Sequence, residues 1–153
     1  LPWVLPYALP ANYKPEVGKG VALTEGKDVA ITAYGPVMLS AAVQAARTLQ
    51  GEHGISAKVI NLAWLNHIDA DWLVEALDDF KAVFSIDNHY LIGGQGDRIA
   101  DALASKGMAE TKLTRLALNE IPACGTNPEI LREHALDQAG IIKVVLGVLN
   151  NRA

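Results

Sequence analysis

AVFSIDNHYLIGGQGDRIADALASKG, residues 82–107, decides the fold. Residues 82–87, AVFSID, form a short apolar run with no polar alternation, as in a strand covered on both faces. Gly93, Gly94 and Gly96 then break the chain. Ile99, Ala100 and Leu103 recur at helical spacing as far as Gly107. Strand, glycine turn and helix in that order are one half of a βαβ unit. The same unit recurs on either side. VAITAY, residues 29–34, is a strand run ended by Gly35-Pro36. Leu39, Ala42, Val43, Ala46 and Leu49 mark a helix closed by Gly51 and Gly54. Residues 56–62, SAKVINL, read as a second strand, and Asp69 caps a helix carrying Trp72, Leu73 and Ala76. KLTRLAL, residues 112–118, is a fourth strand. A short helix follows at Pro128–His134, and Asp137 caps a last helix bearing Ile141, Ile142, Val145, Leu146 and Leu149. Alternation of this kind predicts an α/β fold, with a largely parallel sheet and helices on both faces.

Composition excludes several functions. The 153 residues are half hydrophobic and one-fifth charged, with a formal net charge of −4, so a packed core is expected and disorder is not. Lysines and arginines are scattered, which argues against a nucleic-acid partner. No apolar run approaches the roughly 20 residues of a membrane span. The single cysteine, Cys124, permits no intrachain disulfide, and a reducing, cytoplasmic setting is expected. The opening residues 1–20 are apolar and punctuated by Pro2, Pro6, Pro10 and Pro15. They read as a linker and the tail of a preceding domain, with Trp3 and Leu5 suited to lie against that domain. Residues 21–153 are the α/β domain.

The chemistry-bearing residues concentrate after the third strand. Asp87 and His89 stand two apart at its carboxyl end, where open α/β sheets place their sites. A continued extended backbone would turn them to the same side. Gly93, Gly94 and Gly96 open a helix whose first N–H groups favour anions. One reading is an anion site with His89 as proton donor. The other is a glycine turn that lets the helix pack on the sheet, with Asp87 and His89 capping the loop. The spacing G-G-x-G is not the G-x-G-x-x-G of dinucleotide folds. His53, His67 and His134 have no metal-ligand spacing among themselves or with Cys124, and no metal site is expected.

Four segments in order resemble the transketolase C-terminal domain family. They are residues 25–49, EGKDVAITAYGPVMLSAAVQAARTL; residues 55–73, ISAKVINLAWLNHIDADWL; residues 85–103, SIDNHYLIGGQGDRIADAL; and residues 121–141, IPACGTNPEILREHALDQAGI. The family includes transketolase, 1-deoxyxylulose-5-phosphate synthase and the beta subunit of 2-oxoacid dehydrogenase decarboxylases. The resemblance implies a three-layer α/β/α sandwich whose sheet has about five strands, one of them antiparallel. It implies an assembly or regulatory domain of an enzyme that transfers two-carbon ketol units, inactive by itself. Thiamine diphosphate and magnesium would be bound by preceding domains or a separate subunit, in a homodimer, with residues 1–20 as the linker and tail of a preceding pyrimidine-binding domain. No catalytic residue is expected in this chain. Asp87, His89, Gly93, Gly94 and Gly96 are expected at a domain interface or an anion contact. The alternatives are a docking module of a 2-oxoacid dehydrogenase beta subunit and an independent small-anion-binding domain. The sequence departs from the family pattern at Asp87-Asn88-His89, where relatives carry two acidic residues before the histidine. It departs again at Asn66-His67, in place of a lysine-proline pair.

Overall fold

The computed structural model describes residues 4–108 and 113–151; Pro2, Trp3 and Lys112, named above, lie outside them. Five strands form one sheet: β1 (Val21–Ala22), β2 (Val29–Ala33), β3 (Ala57–Asn61), β4 (Ala82–Tyr90) and β5 (Leu113–Leu118). Their order is β1-β3-β2-β4-β5. β2 lies between β3 and β4 in parallel register, with Val29 opposite both Ala57 and Ala82. β4 pairs in parallel with β5. β1 is the antiparallel member, with Val21 opposite Asn61 on β3. The α/β/α architecture with one antiparallel strand is therefore observed.

The helices are α1 (Gly35–His53), α2 (Ala70–Leu77), α3 (Gln95–Ser105), α4 (Asn127–Glu133) and α5 (Gln138–Asn150). The period-2 alternation of the strands sorts them into two layers. Ile31, Val59, Phe84 and Ile86 turn to one face, where they meet Leu39 and Leu49 of α1 and Ile141 and Val145 of α5. Ala30, Ile60 and Val83 turn to the other face and meet Leu73 and Leu77 of α2 and Ile99 and Leu103 of α3. The small side chains of α1 let it lie close on the sheet, since Ala41, Ala42, Ala45 and Ala46 are all buried.

Local chemistry sets the helix ends. Pro36 occupies the first turn of α1, where its missing N–H costs nothing. The helix runs through Gly51, which the sequence reading had placed at its close, and ends at Gly54, whose φ of 66° puts it in the left-handed region. The Asp69 carboxylate accepts from Trp72 N at 3.0 Å and that of Asp137 from Gly140 N at 2.8 Å, so both expected N-caps are in place. The N-terminal arm touches this domain: the Pro6 carbonyl accepts from Arg47 Nη2 at 2.6 Å, and Tyr7 packs on the α1 side of the core.

Candidate functional site

The carboxyl ends of β2, β3 and β4 converge on Asp87. In the register of β2 and β4, Ala33 lies opposite Ile86, and one step further brings Tyr34 beside Asp87. The Tyr34 hydroxyl donates to one oxygen of the Asp87 carboxylate. The other oxygen accepts from Gln95 N, the first residue of α3, at 2.5 Å. Asp87 is only 2% exposed, so a buried carboxylate is held by a phenol and a helix-terminal amide. Burial, and then the adjoining Asp87 carboxylate, push the Tyr34 phenol well above its ordinary value.

Gln95, 3% exposed, extends this cluster to β3. Its Nε2 donates to the Leu62 carbonyl at 2.6 Å and more weakly to that of Trp64 at 3.4 Å. Gln95 Oε1 is buried with no hydrogen-bond partner among the described residues. Tyr34, Asp87, Gln95 and the β3–α2 loop are thus tied together, with Asp87 at the centre.

The glycines make this closeness possible. A Cβ on Gly94 would lie 2.5 Å from Asp87 Oδ2 and 2.7 Å from the Tyr90 carbonyl oxygen. On Gly96 it would lie 2.8 Å from both Arg115 Cδ and Ser85 Oγ. Gly93 has a φ of 80° with open space around it, so its need is conformational rather than steric. Gly93 N donates to Asp97 Oδ2 at 2.6 Å, and the other oxygen of Asp97 pairs with Arg115 on β5.

Of the five expected site residues, Asp87, Gly94 and Gly96 come together at the base of α3, and Gly93 lies one residue outside. His89 stands apart. It is exposed, its Nδ1 lies 3.0 Å from the Tyr90 carbonyl, and its ring meets that of Tyr90 edge-on at 6.1 Å. The separation has a backbone cause. Ile86 aligns with Leu116 and Tyr90 with Leu118, so four steps along β4 match two along β5 and the ladder slips between them. Tyr34, Gln95, Asp97 and Arg115 join the cluster without having been singled out by the sequence reading.

This arrangement bears on the chemistry available. The N–H groups of Gly93 and Gln95, which an incoming anion would use, already hold the carboxylates of Asp97 and Asp87. No group of three or more His, Cys, Asp or Glu side chains among the described residues could hold a metal ion. The Gly93 and Gln95 N–H groups are therefore not free to receive a diphosphate, and the described residues offer no three-ligand cluster for magnesium. Nor is any helix among the described residues long and apolar enough to cross a membrane.

Comparison with known proteins agrees with the geometry. A Methanocaldococcus jannaschii protein named as a transketolase C-terminal section is 33% identical over 132 residues, which are 86% of this chain and 40% of that protein. 1-Deoxy-D-xylulose-5-phosphate synthase 1 of Geobacter sulfurreducens is 34% identical over 82% of this chain and 20% of its own length. The chain thus spans less than half of these relatives. Among solved structures, a split-gene transketolase described as an inactive β4 tetramer superposes with a TM-score of 0.83 at 30% identity. The match covers 95% of this chain and 47% of that one. A mutant transketolase of Pichia stipitis shares the fold, with a TM-score of 0.63 at 21% identity over 85% of this chain and 18% of its own. The family model for the transketolase C-terminal domain matches residues 18–141, and the chain belongs to that family.

Proposed function

We propose that this chain is the C-terminal assembly domain of a transketolase-like enzyme that transfers two-carbon ketol units. Thiamine diphosphate and magnesium are held by other domains, on the same polypeptide or on a partner subunit. The observation that carries this reading is the occupied pair of backbone donors at the base of α3. Its donors at Gly93 and Gln95 are taken by Asp97 and Asp87, so the glycine loop is a rigid surface rather than a receptor for a small anion. His89, exposed at the rim of that surface, contacts a neighbouring domain instead of a substrate. The homologous proteins are longer than this chain, which leaves room for the cofactor-binding domains, and the split-gene relative is itself an oligomer.

Isothermal titration with thiamine diphosphate and magnesium tests this, on the chain alone and after mixing with the remainder of its enzyme. The expected result is heat in the mixture only, together with no ketol transfer by the chain alone. Cofactor binding or turnover by the isolated chain would overturn the assignment and move the site to the loop after His89.

A further inference from the structure

We propose that the cleft between α1, α4 and α5 binds a small amphipathic organic anion, one with an apolar body and a single acid group. The cleft has a volume of about 690 Å³, within the roughly 300–1,000 Å³ of small-molecule sites. It exists because α4 is held away from the core. No residue of α4 is buried, and only the half-buried Leu131 reaches the α1–α5 core from it. The turn that follows fixes α4 in this position. Ala135 sits in the left-handed region with a φ of 54°. Leu136 N donates to the Leu131 carbonyl at 2.8 Å, and the Leu136 side chain is sunk in the core. Gly140 closes on the turn from α5, with no room for a side chain against Ala135. The opening left between the three helices is lined by Val37 and Ala41 of α1, Leu131 of α4 and Ile142 of α5. It lies on the α1–α5 face of the sheet, opposite the layer of α2 and α3, so it is separate from the base of α3.

The polar groups of the cleft define the ligand, because some are already used and others are not. Ser40 Oγ donates to the Pro36 carbonyl at 2.6 Å, Gln138 Nε2 donates to Thr48 Oγ1 at 2.8 Å, and Asp137 Oδ1 accepts from Gly140 N at 2.8 Å. The side chains of Gln44 on α1 and of Asn127 and Arg132 on α4 have no hydrogen bond or ion pair among the described residues. Arg132 is the one cation among the residues that line the cleft, and Asp137 the one anion. A guanidinium keeps its charge at every relevant pH and presents a fork of donors to an acid group. The Asp137 charge sits at the N-terminus of α5, where the helix itself favours it. One unpaired cation beside an apolar floor therefore matches one acid group on an apolar body. A phosphate monoester matches less well, since its second charge would meet Asp137 with no second cation to balance it. The three walls make the site concave, which suits a small molecule better than a flat protein surface.

Fluorescence titration of the 153-residue chain with anilinonaphthalene sulfonate, an aromatic monoanion, tests this. N-phenylnaphthylamine supplies the same aromatic body without the acid group. Saturable binding of the sulfonate in a one-to-one complex is expected. Arg132→Gln should weaken it by about tenfold, the worth of one charged hydrogen bond, and leave the neutral probe unchanged. Ala139→Trp fills the cleft from an exposed position on α5 and should abolish the binding of both probes. Arg98→Gln removes the same charge from an exposed position on α3, across the sheet, and should change neither. Circular dichroism confirms that each variant is folded, and if Ala139→Trp is not, the contrast between the two probes in Arg132→Gln decides alone. No saturable binding, or binding indifferent to the cleft substitutions, would overturn the proposal. So would an Arg132→Gln effect shared equally by the two probes, which would mean that the arginine shapes the cleft and does not read a charge.

Discussion

Asp87 accepts from the Tyr34 hydroxyl and from Gln95 N while almost wholly buried. Asp87→Ala strands the buried Gln95 N and removes the partner of the half-buried Tyr34 hydroxyl, and we expect a loss of about 2 kcal/mol in a urea melt. Asp87→Asn should cost less, because the tyrosine hydroxyl can turn and accept from the new amide. Tyr34→Phe should cost about 1 kcal/mol, and a double-mutant cycle with Asp87→Ala should show that the two losses do not add. Additive losses would mean that the pair does not interact. Asp28 supplies a pH dependence. Its carboxylate accepts from Ser56 N at 2.8 Å and Ser56 Oγ at 2.6 Å. These bonds, and to a lesser degree the nearby Lys81 charge, hold it below its ordinary value of 3.8. A depressed carboxylate contributes stability that is present above its unfolded value and lost as pH falls through the folded one. The stability gap between wild type and Asp28→Asn should therefore narrow below 3.8. Thermal melts from about pH 6 to about pH 2 check this, and a gap that stays constant contradicts it. Asp87 and the glycines were legible in the sequence because they adjoin one another along the chain. Tyr34 was not: it stands 53 residues from Asp87 and meets it only through the parallel register of β2 and β4.

At the level of elements, α5 carries two glycines with opposite prospects. A Cβ on Gly140 would lie 2.3 Å from the Ala135 carbonyl oxygen, whereas one on Gly147 meets nothing within 4 Å. Gly147→Ala should stabilise the chain by about 0.5–1 kcal/mol through helix propensity. Gly140→Ala should destabilise it by about 2–3 kcal/mol, because the obstructing atoms are backbone and cannot turn aside. Urea unfolding of both variants measures the contrast, and equal effects would refute the close approach of α5 to the α4–α5 turn. The long periodic elements, α1 and α5, were legible from spacing alone. β1 was not, since two residues carry no period. It is held by features outside itself: Leu23 N donates to the Val59 carbonyl at 2.8 Å, and Thr24 Oγ1 both donates to the Ala57 carbonyl and accepts from Val59 N, each at 2.8 Å. The far end of β4 was also hidden. Its burial stops at Asp87 while its strand geometry continues to Tyr90, so an apolar run could mark only the covered part.

The whole molecule places two cores on opposite faces of one sheet, and the faces share their strands. Val83 and Phe84 are adjacent on β4, yet Val83 belongs to the α2–α3 side and Phe84 to the α1–α5 side. Ala30 and Ile31 divide in the same way on β2. Neither layer can loosen without uncovering strands that the other needs, so the domain should unfold as one unit, as small domains generally do. Leu49 on α1 and Leu73 on α2 are both fully buried, one on each side. Leu49→Ala and Leu73→Ala should each cost about 2–5 kcal/mol by leaving a cavity. Both should shift a single transition to lower denaturant while leaving its slope unchanged. If the layers were independent, either substitution would melt its own face early and split the curve in two. A split curve would also remove the rigid platform on which Asp87, Gly94 and the β3–α2 loop depend, since their positions are set by β2 and β4 held from both sides.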